Sequence, residues 1–310
     1  MNTDLREKQI ATVINLTAGG MNIIYLVSDS VSTSKIKPFM SRFPDRVINV
    51  GIAEQNLMGI AAGLANTGFI PFTGNAAPFL INRSAEQLKV DISYSNSNVK
   101  VNGLHAGFSY GADGITHHEV NDIAFIRGLP GFEIYAPCDG AECEQMTLYA
   151  ANHQGPVYMS LNSGIFPEVS PGSGPFIPGK PLQFAEGRDL TIIALGTAVH
   201  DALEAAATLR GTCSPDIFAL SSIRPLDSAP LIQSIKKTGK VLTVEQHSIN
   251  GSAGSIAAAL IAEQGLGAKL KRLGIPEGSF TRNASAQENK QFFGLDAPGI
   301  TAAAKELLQN

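Results

Sequence analysis

"RVINVGIAEQNLMGIAAGLANTGFIPF", residues 46–72, packs two apolar runs around one helical pattern. "RVINV" and "FIPF" read as strands, being short and rich in β-branched and aromatic residues. Between them Leu57, Ile60, Ala61 and Leu64 recur at i, i+3, i+4, i+7 spacing, the stripe of a helix with one face on a core. A strand, a helix and a second strand in close succession form the unit of a parallel sheet, with the helix as the crossover. Glu54 is the residue that fits least easily. The same spacing from it reaches Leu57, Met58 and Ala61, so it begins close to the buried face, where a lone carboxylate needs a partner. The alternative is an exposed first-turn acid, which favours the helix dipole by ~0.5 to 1 kcal/mol. On periodicity alone the alternative is the commoner case, because acids at helix starts are frequent.

The same rhythm extends in both directions. "NIIYLVS", "VKVNGL", "FEIYA" and "PVYMSL" read as further strands, Arg83 to Tyr94 and Gly140 to Asn152 as helices, and the prolines at 71, 130, 137 and 156 fall at or near element ends. From Ser163 to Asp189 five of the 17 prolines gather with several glycines, which predicts an extended linker. Beyond it come "DLTIIALG", a helix from about Ala198 to Leu209, "DIFALS", a helix from Ser228 to Lys237, "KVLTVEQ" and a helix from about Ser252 to Glu263. The expected fold class is α/β with two domains, each a mainly parallel sheet flanked by helices. The expected divisions are a first domain at 1–163, a linker at 164–188 and a smaller second domain at 189–310.

Composition narrows the function. A chain of 310 residues can bury two cores, and a net charge of −4 without any concentration of Lys and Arg lacks the footprint of a nucleic-acid binder. The charged start "MNTDLREKQI" is no secretory signal and no later run is long enough to span a bilayer, so a cytosolic protein is expected. Cys138, Cys143 and Cys213 are too few and too irregularly spaced for a disulfide framework or a zinc site and read as reduced structural thiols. "HHE" at 117–119 has no companion metal-binding spacing, and adjacent histidines point in different directions, so no metal is expected on this chain. In the loop after "VKVNGLH", Gly107, Gly111 and Gly114 permit a tight path that brings His105, Asp113 and His117 to one end of the sheet.

Two long stretches carry a family resemblance. "GIAEQNLMGIAAGLANTGFIPF" resembles the acidic motif in the pyrimidine-binding domain of transketolases and deoxyxylulose phosphate synthases, and "VKVNGLHAGFSYGADGITHHEVNDIAFIRGLPGFEIYAPCDGAE" resembles their substrate-channel run. "DLTIIALGTAVHDALEAAATL", "SIRPLD" and "VEQHSINGSAGSIAAAL" are similar to the transketolase C-terminal domain. The resemblance implies that Glu54 hydrogen-bonds the aminopyrimidine of thiamine diphosphate and so promotes removal of the thiazolium proton. It implies further that Phe79 stacks on that ring, that His105 and His117 bind substrate oxygens and shuttle protons, that Asp113 meets a substrate hydroxyl, and that Arg6 is a substrate-side arginine. His118 is the bland member of its pair, and Ser160 and Ser163 stand where basic residues commonly grip a sugar phosphate.

The resemblance covers only the second half of an ordinary transketolase. It therefore implies a split enzyme whose partner, an N-terminal transketolase subunit, holds the cofactor's diphosphate and a divalent cation, Mg or Ca, with two copies of each chain in a heterotetramer. The implied reaction is transfer of a two-carbon ketol unit from a ketose to an aldose. The alternatives are a deoxyxylulose phosphate synthase-like or 2-oxo acid dehydrogenase-like subunit, or a non-catalytic paralogue that binds the partner chain.

Overall fold

Runs that bury side chains on both faces become strands of a helix-covered sheet. The computed structural model, which describes residues 2–170 and 176–309, shows how these runs pair. The first half contains β1 (Asn2–Asp4), β2 (Ile23–Val27), β3 (Val47–Asn49), β4 (Ile70–Ala76), β5 (Lys100–Leu104), β6 (Glu133–Tyr135), β7 (Val157–Leu161) and β8 (Ile165–Pro167). β2, β5 and β7 are buried at every residue. The order is β6-β7-β5-β4-β2-β3, with all of these neighbours parallel. From β2 the chain moves outward to β3 and then returns to β4 on the other side of β2. That reversal opens a crevice at the carboxyl ends of β2 and β4, where open α/β sheets place their ligands.

The β3–β4 connection is the helix Glu54–Ala65, whose buried residues are Glu54, Leu57, Met58, Ala61 and Ala62. Ile60 and Leu64, expected on the core stripe, are only half-buried. Leu57 and Met58 share a core with Ile24 and Leu26 of β2 and with Leu88 and Ile92, so two neighbours widen and turn the buried face. The helix expected over Arg83 to Tyr94 is also corrected. A helix at Ala77–Arg83 ends at Ser84, and Ala85–Gln87 leads into a π-helix, Leu88–Tyr94. The wider winding keeps Leu88 and Ile92 in the core and leaves Val90 and Tyr94 at the surface.

The second half adds β9 (Leu182–Ala185), β10 (Leu190–Leu195), β11 (Pro215–Leu220), β12 (Ser222–Arg224), β13 (Lys240–Ser248) and β14 (Lys269–Ile275). Its sheet runs β14-β13-β10-β11-β9, parallel except for β9. β12 leaves that sheet and pairs antiparallel with β6, so the first sheet borrows its seventh strand from the second half. One core then runs through both halves, with Ile134 and Ala136 among Phe218, Leu220 and Ile223. The segment 164–188 is more than a linker. β8 pairs with β1 and β9 joins the second sheet, while residues 171–175 lie outside the described residues. Edge strands tolerate prolines because one row of N–H groups needs no partner, so a proline-rich stretch can still pair.

All three cysteines are free and buried, and burial pushes their thiols up. Among the described residues no helix is long and apolar enough to cross a membrane.

Candidate active site

Glu54 enters the crevice because its helix starts directly after the β3 turn, where Gly51 takes φ +72°. Its side chain is only 4% exposed, so it is not the exposed first-turn acid that periodicity favours. One oxygen, Oε1, accepts from Arg83 Nη1 at 3.0 Å and from Asn75 Nδ2 at 3.4 Å. Asn75, near the end of β4, accepts from Ser28 N at 3.0 Å, and Ser28 Oγ accepts from Ala53 N at 3.2 Å. The ends of β2 and β4 and the start of the helix are thus tied together around one carboxylate.

A line of rings leads away from it. The Arg83 guanidinium carbon stands 4.1 Å from the centroid of Phe79. His117 meets Phe79 edge-on at 5.1 Å, and it meets Tyr110 in the same way at 5.1 Å. Tyr110 stacks on His105 with centroids 4.3 Å apart. The two predicted histidines are therefore brought together, with Tyr110 between them. His117 Nδ1 lies 2.9 Å from Thr116 Oγ1.

His105 follows β5 in the left-handed region, at φ +58°. Arg6 Nη1 donates to its Nε2, which assigns the ring proton to Nδ1 and makes Ser163 Oγ, 2.8 Å away, its acceptor. Burial and the neighbouring charge of Arg6 hold its pKa down to about 4, so the ring is neutral at pH 7.

Arg6 differs from expectation. Its Nε and Nη2 grip Asp4 at 3.0 and 2.6 Å, and Nη1 also donates to Thr33 O at 3.1 Å. Four of the five N–H groups of this buried guanidinium are committed to a carboxylate, a carbonyl and an imidazole, which leaves a poor grip for a substrate phosphate. Ser160 also points elsewhere, since it and Tyr158 each donate to Asp122 Oδ2 at 2.6 Å.

Asp113 is exposed on the turn Gly111–Thr116. The turn is held from two sides. His118 is buried and donates from Nε2 to Gly111 O at 2.8 Å. At Gly114, with φ +68° and ψ −153°, a Cβ would fall 2.0 Å from Asn283 Oδ1 of the second half. Nearby, burial and then Asp122 push Glu119 up to about 8. Glu245 accepts from Gly254 N at 2.9 Å, so the chain's own carboxylate fills the start of the helix Ala253–Glu263.

Arg83, Asn75 and Tyr110 belong to this site and were not among the residues expected from sequence. The available signal for Arg83 was its position four residues after Phe79, the spacing at which helical side chains touch. Among the described residues no group of three or more His, Cys, Asp or Glu is arranged to hold a metal. Chemically, a buried carboxylate beside an aromatic face suits a flat nitrogen heterocycle that stacks and shares a proton.

Comparison with known proteins identifies both halves of the chain. The protein-family model described as "Transketolase, pyrimidine binding domain" matches residues 10–167, and that described as "Transketolase, C-terminal domain" matches 179–300. The chain is 41% identical over 295 residues to a subunit of the apulose-4-phosphate transketolase of Actinobacillus succinogenes, covering 95% of each. It is 32% identical over 306 residues to the 6-deoxy-6-sulfo-D-fructose transketolase subunit SqwH of a Clostridium species, covering 98% of this chain and 94% of that protein. A solved structure described as "Split gene transketolase, inactive beta4 tetramer" superposes with a TM-score of 0.90 at 34% identity, covering 99% of this chain and 98% of the other. With both family models matched and a relative 41% identical over 95% of the chain, the chain belongs to the transketolase family through its pyrimidine-binding and C-terminal domains.

Proposed function

We propose that the chain is one subunit of a split transketolase that binds thiamine diphosphate jointly with a partner carrying the diphosphate-binding domain. The observation that carries this reading is Glu54, buried and hydrogen-bonded through Oε1 to Arg83, whose guanidinium lies over Phe79. These residues fit the pyrimidine half of the cofactor, because a buried carboxyl group can share a proton with a ring nitrogen and a half-buried ring offers a stacking face. When bound, thiamine diphosphate supplies the thiazolium carbon that cleaves a ketose and carries a two-carbon unit to an aldose.

This chain's residues then divide the work. Glu54 holds the pyrimidine ring and shares its proton. Phe79 stacks on it. His117 moves protons at substrate oxygens, and Asp113 receives a substrate hydroxyl. His105 is neutral, with both ring nitrogens engaged, and serves as a fixed polar wall rather than a proton carrier. The partner holds the divalent cation, and two copies of each chain make the assembly. The relatives' names include a phosphorylated and a sulfonated sugar, which supports an anionic sugar as substrate.

The test is Glu54→Gln in the complex co-purified with the diphosphate-binding subunit, at saturating cofactor. Glutamine keeps the size but has no exchangeable acid proton to share with the ring nitrogen, so exchange of the thiazolium proton and turnover should fall together, by roughly 10²- to 10⁴-fold. Exchange at the wild-type rate would remove Glu54 from the chemistry.

A further inference from the structure

A buried carboxyl group that serves a ligand must be held in one orientation while keeping one oxygen for that ligand. Burying an unpaired carboxylate is costly. Among the described residues, both hydrogen bonds to the Glu54 side chain fall on Oε1, and the charged one comes from Arg83. The same guanidinium lies over Phe79 at 4.1 Å. Arg83 is 47% exposed, yet two of its contacts are with the groups to which the cofactor reading assigns the pyrimidine ring. Phe79 and Arg83 stand four residues apart on the helix Ala77–Arg83, so one helical turn brings the stacking ring and the charge to the carboxylate together.

We infer that Arg83 is a positioning residue. It grips one oxygen of Glu54, leaving the other to the pyrimidine, and it covers one face of Phe79 so that the ring offers its second face to the cofactor. The inference rests on the cofactor reading above. Planarity matters here as well as charge, because a guanidinium can bond a carboxylate and lie against a ring at once, whereas an ammonium is a point charge.

The experiment compares Arg83→Met, Arg83→Lys and Glu54→Gln in the complex co-purified with the diphosphate-binding subunit. Hydrogen–deuterium exchange at the thiazolium carbon is followed at saturating thiamine diphosphate, and the dissociation constant of the cofactor is measured separately. Arg83→Met should slow exchange by roughly 10- to 100-fold with the cofactor still bound, the effect of a misaimed group. Arg83→Lys should recover most of the exchange rate, since its ammonium reaches Oε1, but should still bind the cofactor more weakly than wild type because it cannot brace Phe79. Wild-type exchange in Arg83→Met beside slow exchange in Glu54→Gln would overturn the inference and leave the Glu54 reading intact. Wild-type exchange in Glu54→Gln would overturn both. Should Arg83→Met not fold, Arg83→Lys decides: weakened cofactor binding supports the role, and unchanged binding refutes it.

Discussion

Replacing Arg6 with methionine is expected to raise the pKa of His105 by at least about one unit while keeping the volume of the arginine stem. In the wild type His105 is held to about 4 against an ordinary 6.5, which amounts to roughly 3 kcal/mol opposing protonation at about 1.4 kcal/mol per unit. Burial is the largest cause and persists in the variant. The positive charge of Arg6 is the next largest cause and disappears, together with the N–H that occupies Nε2. Asp4, relieved of its ion pair, pulls the imidazole further toward the charged form. Asp4→Asn combined with Arg6→Met isolates the loss of repulsion from this new attraction.

The assay is an NMR titration of histidine-labelled protein, with His105→Asn used to assign the resonance, since asparagine tolerates the left-handed backbone at this position. Stability supplies a second readout. The folded pKa lies below the unfolded one, so the contribution of His105 is intact above pH 6.5 and is lost as the pH falls toward 4. In Arg6→Met that window narrows from its acid end, and urea unfolding between pH 4 and 7 should show a shallower dependence. A folded variant whose His105 still titrates near 4 would refute the assignment of Arg6 as the charge that keeps the ring neutral.

Glu119→Gln mimics the neutral acid that burial favours. Glu119 is held up to about 8, so wild-type stability declines as the pH rises from about 4.5 to 8, and the variant should gain on it across that window by up to a few kcal/mol at about 1.4 per unit; parallel unfolding curves at pH 5 and 8 would argue against this. Gly114→Ala places a side chain at a backbone conformation that only glycine adopts easily, costing about 1 to 3 kcal/mol locally, and should displace the Gly111–Thr116 turn, seen as faster proteolysis there and lost turnover in the complex. Adding Asn283→Ala should restore only part of the loss, because it removes the clash and leaves the backbone strain.

β2 to β7, β10, β11 and β13 were legible because their runs are short, apolar and separated by turn residues, whereas β1, β8, β9, β12 and β14, short or polar, were not read from sequence. The helix Leu5–Ala18 was not read from sequence. Its buried residues include Arg6, Gln9 and Thr12, whose polar ends are satisfied by Asp4, Asn102 and Lys8 O, so no apolar stripe marks it. Glu54 stood out as a carboxylate on an apolar face, but its partner did not, since Arg83 reaches it across 29 residues of sequence. The position of Arg6 was visible while its commitment was not. Whether a guanidinium faces substrate or Asp4 depends on a side-chain fork beyond what residue spacing records.

The borrowed strand has a consequence for synthesis. β12 is translated about 90 residues after β6, its partner, which at roughly 5–20 residues per second leaves the edge of β6 open for roughly 5–20 s on the ribosome. During that interval the nascent first half presents an unpaired row of N–H and C=O groups, a template for pairing with another copy. Translation that stalls within 164–188 keeps that edge open, and it closes only once β12 has cleared the ribosome and the chain's own strand can reach it.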